Sequence, residues 1–171
     1  MSSAVETGTW QLDPARSTVG VRHKTMWGMV TVKGNFTGLA GGGEVGPDGS
    51  ASGSITLDAA SLDTKNAKRD THLRSADFFD ADRHPELTFA VGSATTGDDK
   101  TVQVAGQLTA RGISRPQAFT AHLTEASADA VTLTAEFTVD REQFSMGWNQ
   151  LGMIRGRTTV TASLRFVRAT S

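Results

Sequence analysis

Apolar and polar residues alternate along most of this chain. From Val131 to Val139 the odd positions are Val131, Leu133, Ala135, Phe137 and Val139, and the even ones are Thr132, Thr134, Glu136 and Thr138. That period of two marks a strand with one dry face and one wet face. Val160, Ala162, Leu164 and Phe166 repeat it, as do Val102, Val104, Gly106, Leu108 and Ala110. Further sets are Phe119, Ala121 and Leu123; Leu87, Phe89 and Val91; Val19, Val21 and His23; Val30, Val32, Gly34 and Phe36; and Ile55 with Leu57. These sets predict eight strands. Turn signals separate several of them, at Gly46-Pro47-Asp48-Gly49, Gly97-Asp98-Asp99 and Gly112-Ile113-Ser114-Arg115-Pro116. Short strands with alternating faces pair antiparallel, and eight of them hide their edges best in a closed barrel or a sandwich.

Two regions break the rhythm. Between Asp58 and Pro85 the pattern predicts a helix over about 65–75, capped by Asp63 or Thr64, with Phe78 and Phe79 after it. From Asp140 to Gly156 the chain holds Phe144, Met146, Trp148, Leu151, Met153 and Ile154 among three glycines. Large apolar residues in an irregular segment are expected to cover something greasy.

Length and charge narrow the picture. A chain of 171 residues fits one domain, read as residues 9–168 after a flexible stretch at 1–8. Basic and acidic residues number 17 and 18, a net charge of -1. That balance argues against a nucleic-acid partner, which phosphate neutralisation would demand, and against an anchor for anionic membranes. No stretch reaches the ~20 apolar residues of a membrane-spanning helix. The chain has no cysteine, so disulfides, thiolate catalysis and cysteine-ligated metal are excluded. The first residues show neither a basic start nor an apolar run, which sets the expectation of a cytoplasmic protein.

The sequence offers several candidate chemistries. His72, Asp77, Asp80, Asp82 and His84 lie close in sequence, but their spacing matches no metal motif and suits turn and cap residues better. Asp70 beside Arg69 and Arg74 reads as local charge pairing. No Gly-x-Ser-x-Gly elbow is present for a serine hydrolase. Gly41-Gly42-Gly43-Glu44-Val45-Gly46 fits the letters of a dinucleotide loop. It runs into Pro47-Asp48-Gly49 rather than a helix, so it reads as a Gly-rich hairpin. His23 is the one polar side chain expected on an inner face, either hydrogen-bonded to a neighbour or facing a ligand. Arg111, Arg115, Arg155 and Arg157 fall near strand ends, where a cluster would suit a phosphate or quinone head. The inner faces also carry small residues: Gly34, Gly106, Ala110, Ala121, Ala135 and Ala162. If these gather at one level they leave a gap, whereas Phe36, Phe89, Phe119, Phe137 and Phe166 are large enough to fill one.

The order of motifs points to a known family. Trp10-Gln11-Leu12-Asp13-Pro14 is followed by Ser17-Thr18-Val19 and His23, then by Val32-Lys33-Gly34-Asn35-Phe36-Thr37-Gly38. Arg69-Asp70-Thr71-His72-Leu73-Arg74-Ser75-Ala76-Asp77-Phe78-Phe79-Asp80 is the most specific piece. Gly106-Gln107-Leu108-Thr109-Ala110-Arg111-Gly112 and Asp140-Arg141-Glu142-Gln143-Phe144 complete the set. From about Trp10 to Arg168 the chain resembles the YceI-like family of bacterial polyisoprenoid-binding proteins. It differs in having Arg16-Ser17 where many members have His-Ser, and Phe144-Ser145 where many have Phe-Gly.

The resemblance implies a mainly β fold, an eight-stranded antiparallel lipocalin-like barrel with one short helix near one end. It implies an apolar pore that takes a long isoprenoid, a polyprenyl phosphate or a prenylated quinone, which the protein carries or stores without catalysis or a cofactor. The expected lining is Val19, Val21, His23, Phe36, Phe89, Leu108, Phe119, Leu133 and Phe137, with Phe78, Phe79, Phe144, Met146, Trp148 and Ile154 at the mouth. A homodimer is compatible with this reading, although no sequence feature specifies one. Two rival readings remain: a lipid cyclase or isomerase using His23, and a filled barrel serving as a stress or partner-binding module.

Overall fold

Eleven strands and one helix make up the described part of the computed structural model, which covers residues 8–25, 30–46, 50–75, 79–96, 100–140 and 158–169. In chain order they are β1 (Gly8–Leu12), β2 (Thr18–Thr25), β3 (Val30–Phe36), β4 (Leu39–Val45), β5 (Ala51–Asp58), β6 (Leu62–Asp63), α1 (Ala67–Arg74), β7 (Glu86–Thr96), β8 (Thr101–Ala110), β9 (Ile113–Ala126), β10 (Ala130–Val139) and β11 (Thr158–Arg168). The hydrogen-bonded order β1-β4-β5-β7-β8-β9-β10-β11 returns from β11 to β1, so eight antiparallel strands close into a barrel. No helix among the described residues is long and apolar enough to cross a membrane.

The two halves of the first stave share one edge of β11. Leu12 of β1 faces Phe166, and Thr18 of β2 faces Ser163. Between them Pro14–Arg16 forms a 3-10 turn, because Pro14 fixes its own φ and offers no N–H to the ladder. The kink is tied down locally. Ser17 Oγ donates to Asp13 O at 2.7 Å, and Arg165 N donates to Ser17 Oγ at 2.9 Å. The Arg165 guanidinium spans Asp13 (3.2 Å) and Glu125 (3.1 Å). The Thr132 hydroxyl, donating to Glu125 at 2.8 Å, and the Arg165 guanidinium hold the Glu125 carboxyl below its usual range.

All eight alternating sets of the sequence lie on strands, and Gly41-Gly42-Gly43 lies in a Gly-rich hairpin, formed by β4 and β5. Two local readings need correction. The turn expected over Gly112–Pro116 is confined to Arg111 and Gly112, both with positive φ (54° and 74°). That geometry matches the twist of the flanking strands. Pro116 then sits in β9 opposite Gln107. It is tolerated because β9 pairs with β10 from Ala121 onward, so the proline edge removes no ladder bond on that side. The helix cap is Asn66, whose side chain accepts from Arg69 N at 3.0 Å, not Asp63 or Thr64.

Eight residues make too short a helix to stand alone, and α1 carries one large apolar residue, Leu73. Polar contacts anchor it. Buried Asp70 accepts from Thr64 N (3.0 Å) and from Thr64 Oγ1, while Arg69 donates to Thr64 Oγ1 (2.9 Å) and Thr64 O (2.8 Å). Arg69 thus bonds to Thr64, and the charge pairing expected for Asp70 is replaced by these hydroxyl and amide donors. After α1 the chain turns back. Phe79 N donates to Leu73 O, and the Phe79 ring meets Phe36 edge-on at 6.0 Å. On the edge of β3 away from β2, the two-residue β6 is its ladder partner, through Asn35 with Asp63 and Phe36 with Leu62.

Because this pin replaces an amphipathic face, Asp70→Ala should lower stability by about 2 kcal/mol, the cost of leaving buried donors without an acceptor. Urea unfolding monitored by circular dichroism would show it. A midpoint matching the parent protein would mean that the pin contributes nothing.

Candidate functional site

The barrel interior is hollow. An almost wholly apolar cavity of about 310 Å³ runs between the walls. Buried side chains pack both ends. Val19, Phe36, Ala59, Leu62, Leu87 and Ala110 cluster at the α1 end, and Trp10, Val45, Val102, Val104, Ala121, Leu123 and Val131 at the other.

Register explains where the space comes from. Ala121, Ala135 and Ala162 are direct partners across β9, β10 and β11, and all three line the cavity. A second bare patch lies on β4 and β5, where Gly43 and Gly53 stand opposite each other. A Cβ on Gly43 would come 2.3 Å from the Ser52 carbonyl oxygen, so the two backbones approach too closely for any side chain there. Ala110 lines the cavity as well. Gly106 resembles Gly43, since a Cβ there would come 2.1 Å from the Ala90 carbonyl oxygen, whereas one on Gly34 would strike Thr64 and Leu62. The phenylalanines line the space without filling it. Phe119 and Phe137 stack at 4.5 Å, with Phe89 tilted against Phe119 at 5.4 Å, forming a flat aromatic wall.

The YceI-like domain pattern matches residues 10–166. The chain belongs to this family. Among similar structures, Burkholderia cenocepacia BcnA superposes with a TM-score of 0.81 at 21% identity, covering 93% of this chain and 99% of that one. A polyisoprenoid binding domain from Saccharophagus degradans, implicated in plant cell wall breakdown, gives 0.76 at 16% identity, covering 96% and 100%. A UPF0312 protein from Staphylococcus aureus is 29% identical over 127 residues, 70% of this chain and 71% of the relative. A UPF0312 protein from Ectopseudomonas mendocina is 41% identical over 63 residues. That match spans 37% of this chain and only a third (33%) of the relative's length.

Within this YceI-like barrel, Val19, Val21, Phe36, Phe79, Phe89, Leu108, Phe119, Leu133 and Phe137 all line the cavity. His23 does not. Its Nδ1 is 2.9 Å from Thr158 Oγ1, and it is Thr158 that faces the space. Near the end of β2 the imidazole turns to a hydroxyl on the neighbouring strand, as buried polar groups do. Phe78, Phe144, Met146, Trp148 and Ile154, together with Arg155 and Arg157, lie outside the described residues. Arg111 lies in the β8–β9 turn and Arg115 on β9 opposite Leu108, and neither lines the cavity. Among the described residues no three His, Asp or Glu side chains come together to hold a metal ion.

Sequence reasoning missed several lining residues. Trp10 lies on β1, a strand too short to show an alternating set. Val131, Val139, Val160, Leu164 and Phe166 were visible in the same alternation that exposed Leu133 and Phe137.

A hollow interior and a packed one respond with opposite signs to added volume. Ala135→Leu in lipid-free protein should raise stability by about 1 kcal/mol, since it fills space. In a filled barrel the same change would cost about 1–3 kcal/mol. Thermal unfolding after delipidation decides between the two.

Proposed function

We propose that this protein binds a long-chain isoprenoid lipid in its barrel cavity and serves as a carrier or store of it. The observation that supports this most is the cavity itself, about 310 Å³ of apolar space inside a barrel of this family. Water in such a space finds few polar partners, so an oily chain displaces it favourably. Each buried methylene contributes ~0.8 kcal/mol, which makes tail length rather than head group the main source of affinity. Among the described residues of the lining, Glu44 alone is ionisable, and its position is exposed. This fits a guest whose polar end stays outside. A polyprenyl phosphate and a prenylated quinone both meet that description. The polyisoprenoid binding domain of Saccharophagus degradans shares the fold and lends its ligand class to this reading.

A catalytic reading has one observation behind it. The His23–Thr158 pair sets a titratable ring behind a hydroxyl that faces the cavity, where a cyclase or isomerase would need a proton shuttle.

Protein purified from bacterial cells and extracted with organic solvent should release a prenyl lipid detectable by mass spectrometry. Absence of lipid, together with no uptake of added polyprenol, would overturn the proposal. His23→Phe should bind polyprenol within threefold of the parent protein. An enzyme would instead convert the bound lipid to a new product and lose that conversion in this variant.

A further inference from the structure

We infer that the hydroxyl of Thr158 is the head-group contact of this cavity, donating to an acceptor oxygen of the guest and so fixing which way the guest lies. The inference rests on the isoprenoid reading above. It begins with the faces of the strands. On β11 the inward positions are Thr158, Val160, Ala162, Leu164 and Phe166, and all of them line the cavity. On β7 Ala94 and Thr96 stand opposite the buried Val104 and Val102, so Thr96 is inward too. The other polar residues of the described lining belong to outer faces. Glu44, Ser52 and Ser54 are exposed, and Thr88 alternates with the inward Leu87 and Phe89. Among the described residues, the cavity therefore offers a guest the inward hydroxyls of Thr158 and Thr96, each at the end of a strand.

These hydroxyls are not equivalent. Thr158 stands opposite Val139, and Val139 and Val160 pack on the cluster at the α1 end. Thr96 stands beside Val102 of the cluster that holds Trp10. The Thr158 oxygen is also held in place, with His23 Nδ1 at 2.9 Å from Oγ1. A hydroxyl has one proton and two lone pairs. When the ring carries its proton on Nδ1 it donates to Oγ1, and the Thr158 proton is left to turn into the cavity. The matching group on a guest is an acceptor oxygen, which a phosphate and a quinone carbonyl share. One such bond contributes little beside the burial of a long tail, so it sets direction and head-group preference rather than the bulk of the affinity. The polar end of the guest then lies at the rim next to α1, and its tail points to the Trp10 cluster.

Competition against a fluorescent prenyl probe, with ligands delivered from cyclodextrin to delipidated protein, tests this. The ligands share a geranylgeranyl-derived tail and differ in the head: geranylgeranyl phosphate, a menaquinone, and the oxygen-free hydrocarbon β-springene. Thr158→Val keeps the branched shape and removes the hydroxyl. It should raise Kd about fivefold or more for the phosphate, the menaquinone or both, and leave springene within twofold of the parent protein. A loss confined to the menaquinone identifies a quinone carbonyl as the acceptor, and one confined to the phosphate identifies a phosphate oxygen. Thr96→Val should leave every ligand within twofold. An equal loss for springene, unchanged binding of both oxygen-bearing ligands, or a head-group loss in Thr96→Val instead would overturn the assignment while leaving isoprenoid binding intact. No binding of any of these compounds to the parent protein would overturn the isoprenoid reading and this one with it.

Discussion

Closure of the hydrogen-bonded ladder through β11 is the constraint on which the rest depends. This strand pairs with β10 along one edge and with both β1 and β2 along the other. If that shared edge opened, the apolar faces of eight strands would meet water, and no cavity would be left to fill. The first stave must therefore bend without losing its partner. Pro14 supplies the bend, and Ser17 supplies a hydroxyl that bridges Asp13 O and Arg165 N across it. The Arg165 guanidinium, 20% exposed, is better placed than a surface pair to contribute, because it binds two carboxylates at once from a partly sheltered position.

A closed barrel does not have to be hollow. Eight strands enclose a space that ordinary Leu, Ile and Phe side chains can fill. Here the phenylalanines are present but stack on one another along the wall, Phe119 on Phe137 with Phe89 beside them. Facing alanines leave the remaining space open. The glycines of β4 and β5 act differently from the alanines. They let two backbones approach closely, and the cavity reaches the peptide groups themselves. Hollowness is thus a property of register, produced by which small residues are neighbours rather than by how many there are.

That distinction sets how far the sequence could be read. Alternation revealed β2, β3, β5, β7, β8, β9, β10 and β11, because each repeats apolar or small residues at every second position. The strands it hid are instructive. β4 contains three consecutive glycines, which carry no hydropathy, so the hairpin was legible there but its first strand was not. β1 is five residues long, and only Trp10 and Leu12 are buried. The inner small residues were all visible, yet their levels were not, because levels depend on pairings such as Ala135 with both Ala121 and Ala162. Gly34 looked equivalent to those alanines and is instead packed over by Leu62 and Thr64, from a segment whose course no periodicity foretold. His23 follows Val19 and Val21 along β2, yet its ring bonds to Thr158 and is not part of the lining.

The helix segment shows why one end of such a barrel can differ from the other at little cost. α1 contributes little apolar surface, so it cannot be held by burial as the strands are. Its attachment runs through Asp70 and Arg69, both converging on Thr64. Hydrogen bonds of this kind each contribute about 1 kcal/mol net, whereas the opposite end is held by a continuous ladder and a buried apolar cluster. Separating α1 from the wall therefore requires breaking a few local bonds, and separating β1 from β11 requires opening the barrel.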